Sequence, residues 1–172
     1  MRSIVVAAVA FVALGCAGTR YRVVQQAEPN PLAGVARYRI VGVEAKTDRD
    51  KQVARCFLEP LHGAPSPRPA EDARYRLSAS VDDVEGKGDD SNRVEATMHV
   101  TIASDDGKPV DVLEVTGVSS RAVAKAVVGD EPAQVVETPS PCEAGHDAAR
   151  ATLEYMRQRM NAATSSVETA AR

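Results

Sequence analysis

The residues of this chain whose types and spacing suit covalent or metal chemistry are three cysteines and three histidines. Cys56 precedes His62 and Cys142 precedes His146, so two Cys/His pairs offer the two sulfurs and two imidazoles that hold tetrahedral zinc. Five residues separate the first pair and three the second, and Pro60 and Gly63 place His62 in a loop. The same two cysteines also read as the ends of a disulfide, the default in an oxidising compartment, or as two free thiols. His99 falls on the wet side of an alternating segment with Glu95, Thr97 and Thr101, which suits a solvated imidazole better than a general base. The carboxylates Asp82, Asp83, Glu85, Asp89 and Asp90 do not follow EF-hand spacing and read as a polar loop rather than a calcium site. No Gly-x-Ser-x-Gly elbow, phosphate-cradling glycine loop or His-Glu-x-x-His pair occurs, and no catalytic residues are expected. The expectation is a protein that is not an enzyme and carries no cofactor.

Cys16 differs from the other cysteines. It follows MRSIVVAAVAFVALG, with one positive charge at Arg2, an uncharged apolar run and then small residues, which is the anatomy of a secretory signal. The run from Ile4 to Leu14 is too short to span a bilayer, which takes about 20 apolar residues. Ala13-Leu14-Gly15-Cys16 resembles the lipobox of bacterial lipoproteins, with Ala13 where that family prefers leucine. The resemblance implies that Cys16 is lipidated, becomes the mature N-terminus and is acylated again. It also implies, from Ala17 in place of aspartate, sorting to the outer membrane with the domain facing the periplasm. Each buried methylene contributes about 0.8 kcal/mol, so several chains on one cysteine make release negligible. In an oxidising space, Cys56 and Cys142 are then an even pair, and a disulfide is the first expectation. Zinc on Cys56, His62, Cys142 and His146 stays as the alternative.

Composition narrows the partners. The 21 basic and 24 acidic side chains leave a net charge of −3, against nucleic acid and against a polybasic membrane patch. Aromatic residues make up 3%, with no tryptophan, so stacking platforms are not expected.

These residues need elements to position them. Residues 1–15 read as signal peptide and 16–36 as lipidated N-terminus and tether, with a short extended piece around Tyr21 to Val23; twenty extended residues reach roughly 65 Å. Residues 37–161 read as a single domain of ordinary size, and 162–172 as a disordered tail. RYRIVGVEA, from Arg37, reads as a strand. Thr47 and the acidic residues after it open a helix with Val53, Cys56 and Phe57 on one stripe, ended by Pro60. Tyr75 to Val81 and Val94 to Ile102 alternate with period two, and Asp105-Asp106-Gly107-Lys108 turns into a further strand, Val110 to Val118. There the apolar residues change face between Val112 and Leu113, which reads as a bulge. Residues 121–128 fit a strand or a short helix. Ser140, Pro141 and Glu143 mark the start of a closing helix, as N-cap, first position and capping box, with Cys142, Ala149, Leu153, Met156 and Met160 on one stripe.

The predicted fold is α+β, a two-layer sandwich of a mostly antiparallel four-stranded sheet with two helices on one face. RYRLSASVDDVEGK and NRVEATMHVTIASDDGKPVDVLEVTG, within Arg37 to Met160, are similar to small envelope lipoproteins of the lipopolysaccharide-assembly and transport-auxiliary type. That similarity implies a non-enzymatic interaction or assembly component of the cell envelope with a protein partner. The alternative is a periplasmic ligand-binding module for lipid or metal; an apolar cavity between helices and sheet would mark a lipid binder, and a filled core with an open sheet edge a protein partner.

Overall fold

The computed structural model describes residues 20–86, 92–120, 122–128, 131–137 and 139–162. Cys16, the signal segment and the tail beyond 162 lie outside them, as do Asp89 and Asp90.

The fold is α+β, with both helices packed on one face of a sheet, as the pattern predicts. The sheet is larger than expected and mixed. Its strands are β1 (Arg20–Gln26), β2 (Arg37–Glu44), β3 (Arg68–Pro69), β4 (Tyr75–Glu85), β5 (Arg93–Ser104) and β6 (Pro109–Ser120), in the order β1-β6-β5-β4-β2-β3. Helix α1 (Asp48–His62) links β2 to β4, which pair in parallel, so a β-α-β crossover replaces the expected antiparallel neighbour. β4, β5 and β6 form the expected antiparallel meander.

β1 was not expected as part of the sheet. It lies within the segment read as tether and pairs antiparallel with β6, from Arg20 opposite Thr116 to Gln26 opposite Asp111. The pairing joins residues about ninety positions apart, and no local pattern announces it. Residues 122–128 resolve as strand β7 (Ala122–Val128), paired with β8 (Glu131–Glu137) in a separate two-stranded sheet. β8 escaped sequence reading because it opens on Glu131-Pro132, which follows Gly129-Asp130 and reads as a break.

Helix α1 begins as read. Thr47 accepts the Asp50 N–H at 3.1 Å while the Asp50 carboxylate accepts the Thr47 N–H at 2.9 Å, a reciprocal capping box. Pro60 does not end the helix, which runs to His62. The only bond its ring nitrogen forfeits lies in the last turn, where the cost is small. His62 is therefore the exposed last residue of α1, not a loop residue.

Helix α2 (Pro141–Asn161) is capped by Ser140, whose hydroxyl accepts the Glu143 N–H at 3.1 Å. The capping box is not completed. Glu143 turns instead to Ser119, whose hydroxyl donates to it, and Ser119 in turn accepts the Ser140 N–H. The cap thereby becomes a tie between α2 and the end of β6.

The core lies between helices and sheet, with Phe57, Leu77, Met98, Ile102, Leu113 and Met156 fully buried. Two glycines set its thickness. A Cβ on Gly117 of β6 would stand 1.9 Å from the Ala144 carbonyl oxygen, and one on Gly145 of α2 would stand 2.5 Å from the Val53 carbonyl oxygen. The missing side chains let α2 lie against both β6 and α1.

The bulge expected on β6 between Val112 and Leu113 is not on that strand at this point: opposite this pair the extra residue is Val24 of β1. The β5–β6 ladder is regular there and shifts between Ile102 and Ala103, leaving Val110 as the extra residue. What looked like a change of face is a charged residue at an inward position, Asp111, which is fully buried.

Candidate functional site

Helices α1 and α2 lie side by side and bring the two cysteines together. Cys56 and Cys142 are joined by a disulfide, with Cα atoms 5.1 Å apart although the residues are 86 positions apart in sequence. Cys56 is buried behind the α1 stripe, while Cys142, in the first turn of α2, is half-buried. Gly145, one turn further along α2, presses against the Cys56 Cβ at 3.3 Å from where its own Cβ would be. The cross-link thus falls at the closest approach of the helices.

The structure divides the four residues considered for zinc. His146, four residues after Cys142, stands beside the disulfide, and one ligand atom each from Cys56, Cys142 and His146 lie within 4.8 Å of one another. His62 takes no part in that group, because it ends α1 a turn and a half beyond Cys56. His146 Nε2 is 2.9 Å from Glu59 Oε2, a neighbour that sequence reasoning missed because the two are 87 positions apart and meet only across the helix pair. As the chain stands, both sulfurs are spent in the disulfide, so three potential ligands are held together without being free to bind.

Among the described residues, His99 and its neighbours lie on the sheet face opposite the helices. His99 is half-exposed there; its Nδ1 contacts Asp82 Oδ2, and its Nε2 is 4.0 Å from Glu114 Oε2. Asp82 also accepts the Ser80 hydroxyl at 3.2 Å. Arg22 pairs with Glu114 at 2.8 Å, and Arg39 and Arg76, in register on the parallel strands, share Asp105 at 3.2 and 3.3 Å. Each charged group named on this face has a polar or oppositely charged partner, the arrangement of a solvated surface.

One buried charge cluster was not anticipated. Asp111 accepts the Arg159 Nε–H at 2.9 Å, the Tyr155 hydroxyl at 2.8 Å and the Ala27 N–H at 3.0 Å. Arg159 also donates to the Ala27 carbonyl at 2.9 Å. Burial works against the Arg159 charge, and the hydrogen bonds and charge of Asp111 outweigh it, so its pKa lies above the ordinary arginine value. Burial, then the Asp111 charge and hydrogen bond, raise the Tyr155 hydroxyl far above the usual phenol. The cluster fastens the chain just after β1 to β6 and α2 together.

The cleft bordered by Gly34, Val35, Pro67, Arg157 and Met160 has a volume of about 130 Å³, below the roughly 300 Å³ at which small-molecule pockets begin. Among the described residues no helix is long and apolar enough to cross a membrane.

These features define an α+β two-layer sandwich whose helix pair is closed by a disulfide. No protein-family model matches the chain, and no curated protein matches it. Among solved structures, it is similar to the PelC dodecamer from Paraburkholderia phytofirmans, with 13% identity and a TM-score of 0.46 over 81% of this chain and 97% of that one. A leucine-to-methionine variant of the same dodecamer gives 15% identity and a TM-score of 0.43 over 77% and 93%. At these values the likeness transfers no function.

Proposed function

We propose that this chain is a non-enzymatic lipoprotein of the bacterial cell envelope, anchored through lipid on Cys16 and acting as an interaction or assembly component, at the outer membrane with its domain in the periplasm. The observation that carries this is the Ala13-Leu14-Gly15-Cys16 sequence after a short apolar run. The Cys56–Cys142 disulfide suits the oxidising compartment that such an address implies.

The fold sharpens how such an anchor would hold the domain. β1 starts at Arg20, four positions after Cys16 with three residues between, so at most about 14 Å of extended chain separates the two. The long tether read from sequence shrinks accordingly, and the domain rides close to the bilayer. The end of the sheet that carries Arg20 also carries Thr116 to Ser120 and the Arg93 end of β5, and this end faces the membrane. The Asp111–Arg159 cluster locks the chain after β1 into the core, so the anchor is fixed to the domain rather than to a loose arm.

A protein partner is favoured over a lipid ligand by the open sheet edges, and the cleft beside Met160 is small. β1 is an edge strand, and β2 beyond the two-residue β3 is open as well. Each carries an exposed valine at a bulge, Val24 (53% exposed) and Val41 (62% exposed). Open edges accept strands from other chains.

Solubilising membranes in mild detergent and isolating the tagged chain tests this reading. Recovery of a stoichiometric envelope protein supports it; a co-purifying lipid without protein overturns it in favour of a ligand-binding module. The Cys16→Ala chain is expected in the soluble fraction, and its tight retention in membranes would remove the anchor from the argument.

A further inference from the structure

We propose that Cys56, Cys142 and His146 form a zinc site that exists only in the dithiol state of the chain and is extinguished when the disulfide closes. Three observations lead there. The three ligand atoms already lie within 4.8 Å of one another, on two helices whose close packing is set by Gly145. They are two sulfurs and an imidazole, a donor set that selects zinc and similar borderline-soft cations over magnesium or calcium. The Nε2 of the imidazole is held by a carboxylate, Glu59 at 2.9 Å, which leaves Nδ1 as the ligand atom and is the support that metal-ligating histidines ordinarily have on their other nitrogen.

The half-buried Cys142 and His146 leave the group open on one side, while Cys56 closes it from the core. Cys142 lies in the first turn of α2, where the positive end of the helix favours the anionic sulfur that a metal takes. With three protein ligands, the fourth position of a tetrahedral ion is left for water. Glu59 is a positioning residue here, acting through His146.

The chemistry balances in both directions. Every chain is synthesised as the dithiol. Zn²⁺ binding to it releases the two thiol protons to solvent and forms two Zn–S bonds. Closing the disulfide transfers two electrons and two protons from the thiols to a disulfide oxidant, which leaves as a dithiol. A dithiol reductant reverses that step and restores the site. Disulfide and metal compete for the same sulfurs, so the two states exclude each other.

The test uses the full chain, oxidised or reduced with a phosphine that is then removed without air. Zn²⁺ alone is titrated against a chromophoric chelator, Co²⁺ serves as spectroscopic probe, and melting is followed by circular dichroism. One ion is expected per reduced chain and none per oxidised chain, with a thiolate-to-cobalt charge-transfer band in the reduced form only. Zinc is expected to raise the melting temperature of the reduced chain. Glu59→Gln is expected to weaken zinc binding roughly 10-fold, His146→Ala more, and His62→Ala not at all. The oxidised forms of all three variants report whether the fold survives each substitution. Binding to the oxidised chain, absence of the thiolate band, no rise in melting, or equal losses from His62→Ala and His146→Ala would each overturn the proposal. Equal losses mark an unfolded chain that gathers metal through whichever histidine is near.

Discussion

Asp111 on β6 and Arg159 on α2 form an ion pair in the interior, Nε to Oδ2 2.9 Å, with the carboxylate fully enclosed. Breaking one half leaves the other charged and buried, which costs about 3–5 kcal/mol. Asp111→Ala is expected to lose that much in urea unfolding, and the double variant Asp111→Ala/Arg159→Met distinctly less. A loss in the double variant equal to the sum of the separate Asp111→Ala and Arg159→Met losses would show that the pair is not coupled.

The tyrosines predict the alkaline limit of stability. Burial pushes the Tyr38 hydroxyl from 10.0 up to about 12, and Tyr155 is raised as well, by burial first and Asp111 second. A folded-state pKa above the unfolded value stabilises fully below the unfolded pKa and loses that contribution as pH rises toward the folded one. Stability is therefore expected to fall from pH 10 upward through 12. Tyr155→Phe should flatten the slope of melting temperature against pH in that range; an unchanged slope would exclude Tyr155 as its source.

The disulfide closes a loop whose ends are 86 positions apart, for which the chain-entropy model gives about 4 to 5 kcal/mol. Cys56→Ser/Cys142→Ser is expected to unfold at correspondingly lower denaturant. The wild type in reductant without added metal should match it.

The two close-approach glycines should respond differently from a third. Gly117→Ala and Gly145→Ala place a methyl against backbone oxygens, so each is expected to cost about 1–3 kcal/mol or more. Gly63→Ala would meet the Glu59 carbonyl at an ordinary 3.7 Å and is expected to stay within about 0.5 kcal/mol. Thermal melts of the three variants give the order directly.

At the start of α1, Thr47→Ala removes one half of the capping box and is expected to cost about 1 kcal/mol. Desolvation raises the Asp50 carboxyl, and the hydrogen bonds from the Thr47 backbone and side chain and from the Lys46 backbone together outweigh it, holding the group below the usual aspartate range. A depressed folded pKa stabilises above the unfolded value, 3.8, and is lost as pH falls through the folded one. The destabilisation by Thr47→Ala should therefore shrink on acidification below about pH 4, measured by unfolding at pH 3 and pH 6.

Much of this molecule was legible because its signals are local. Alternation from Tyr75 to Val81 and from Val94 to Ile102, the Asp105-Asp106-Gly107-Lys108 turn, the Thr47 cap and the Ser140-Pro141 start depend on residues within one or two turns of each other. The misreadings share a cause of the opposite kind. Pro60 looked like a stop because its rule ignores how near the helix already was to its end, and the bulge was misplaced because an inward aspartate was not foreseen without Arg159 and Tyr155 to receive it. At the sulfur cluster, the cysteine pair was legible by count, whereas Glu59 was not.

By itself the sequence determined the element types through side-chain period, the pairing candidates through cysteine number, and the expected address through Ala13 to Cys16. Only the tertiary structure decided that β1 joins the sheet, that β2 runs parallel to β4, that His146 rather than His62 stands at the sulfurs, and that Asp111 is buried with its charge satisfied. Each of these depends on contacts between residues far apart in sequence. Their free energy belongs to the packed arrangement, and no window of neighbouring residues contains it.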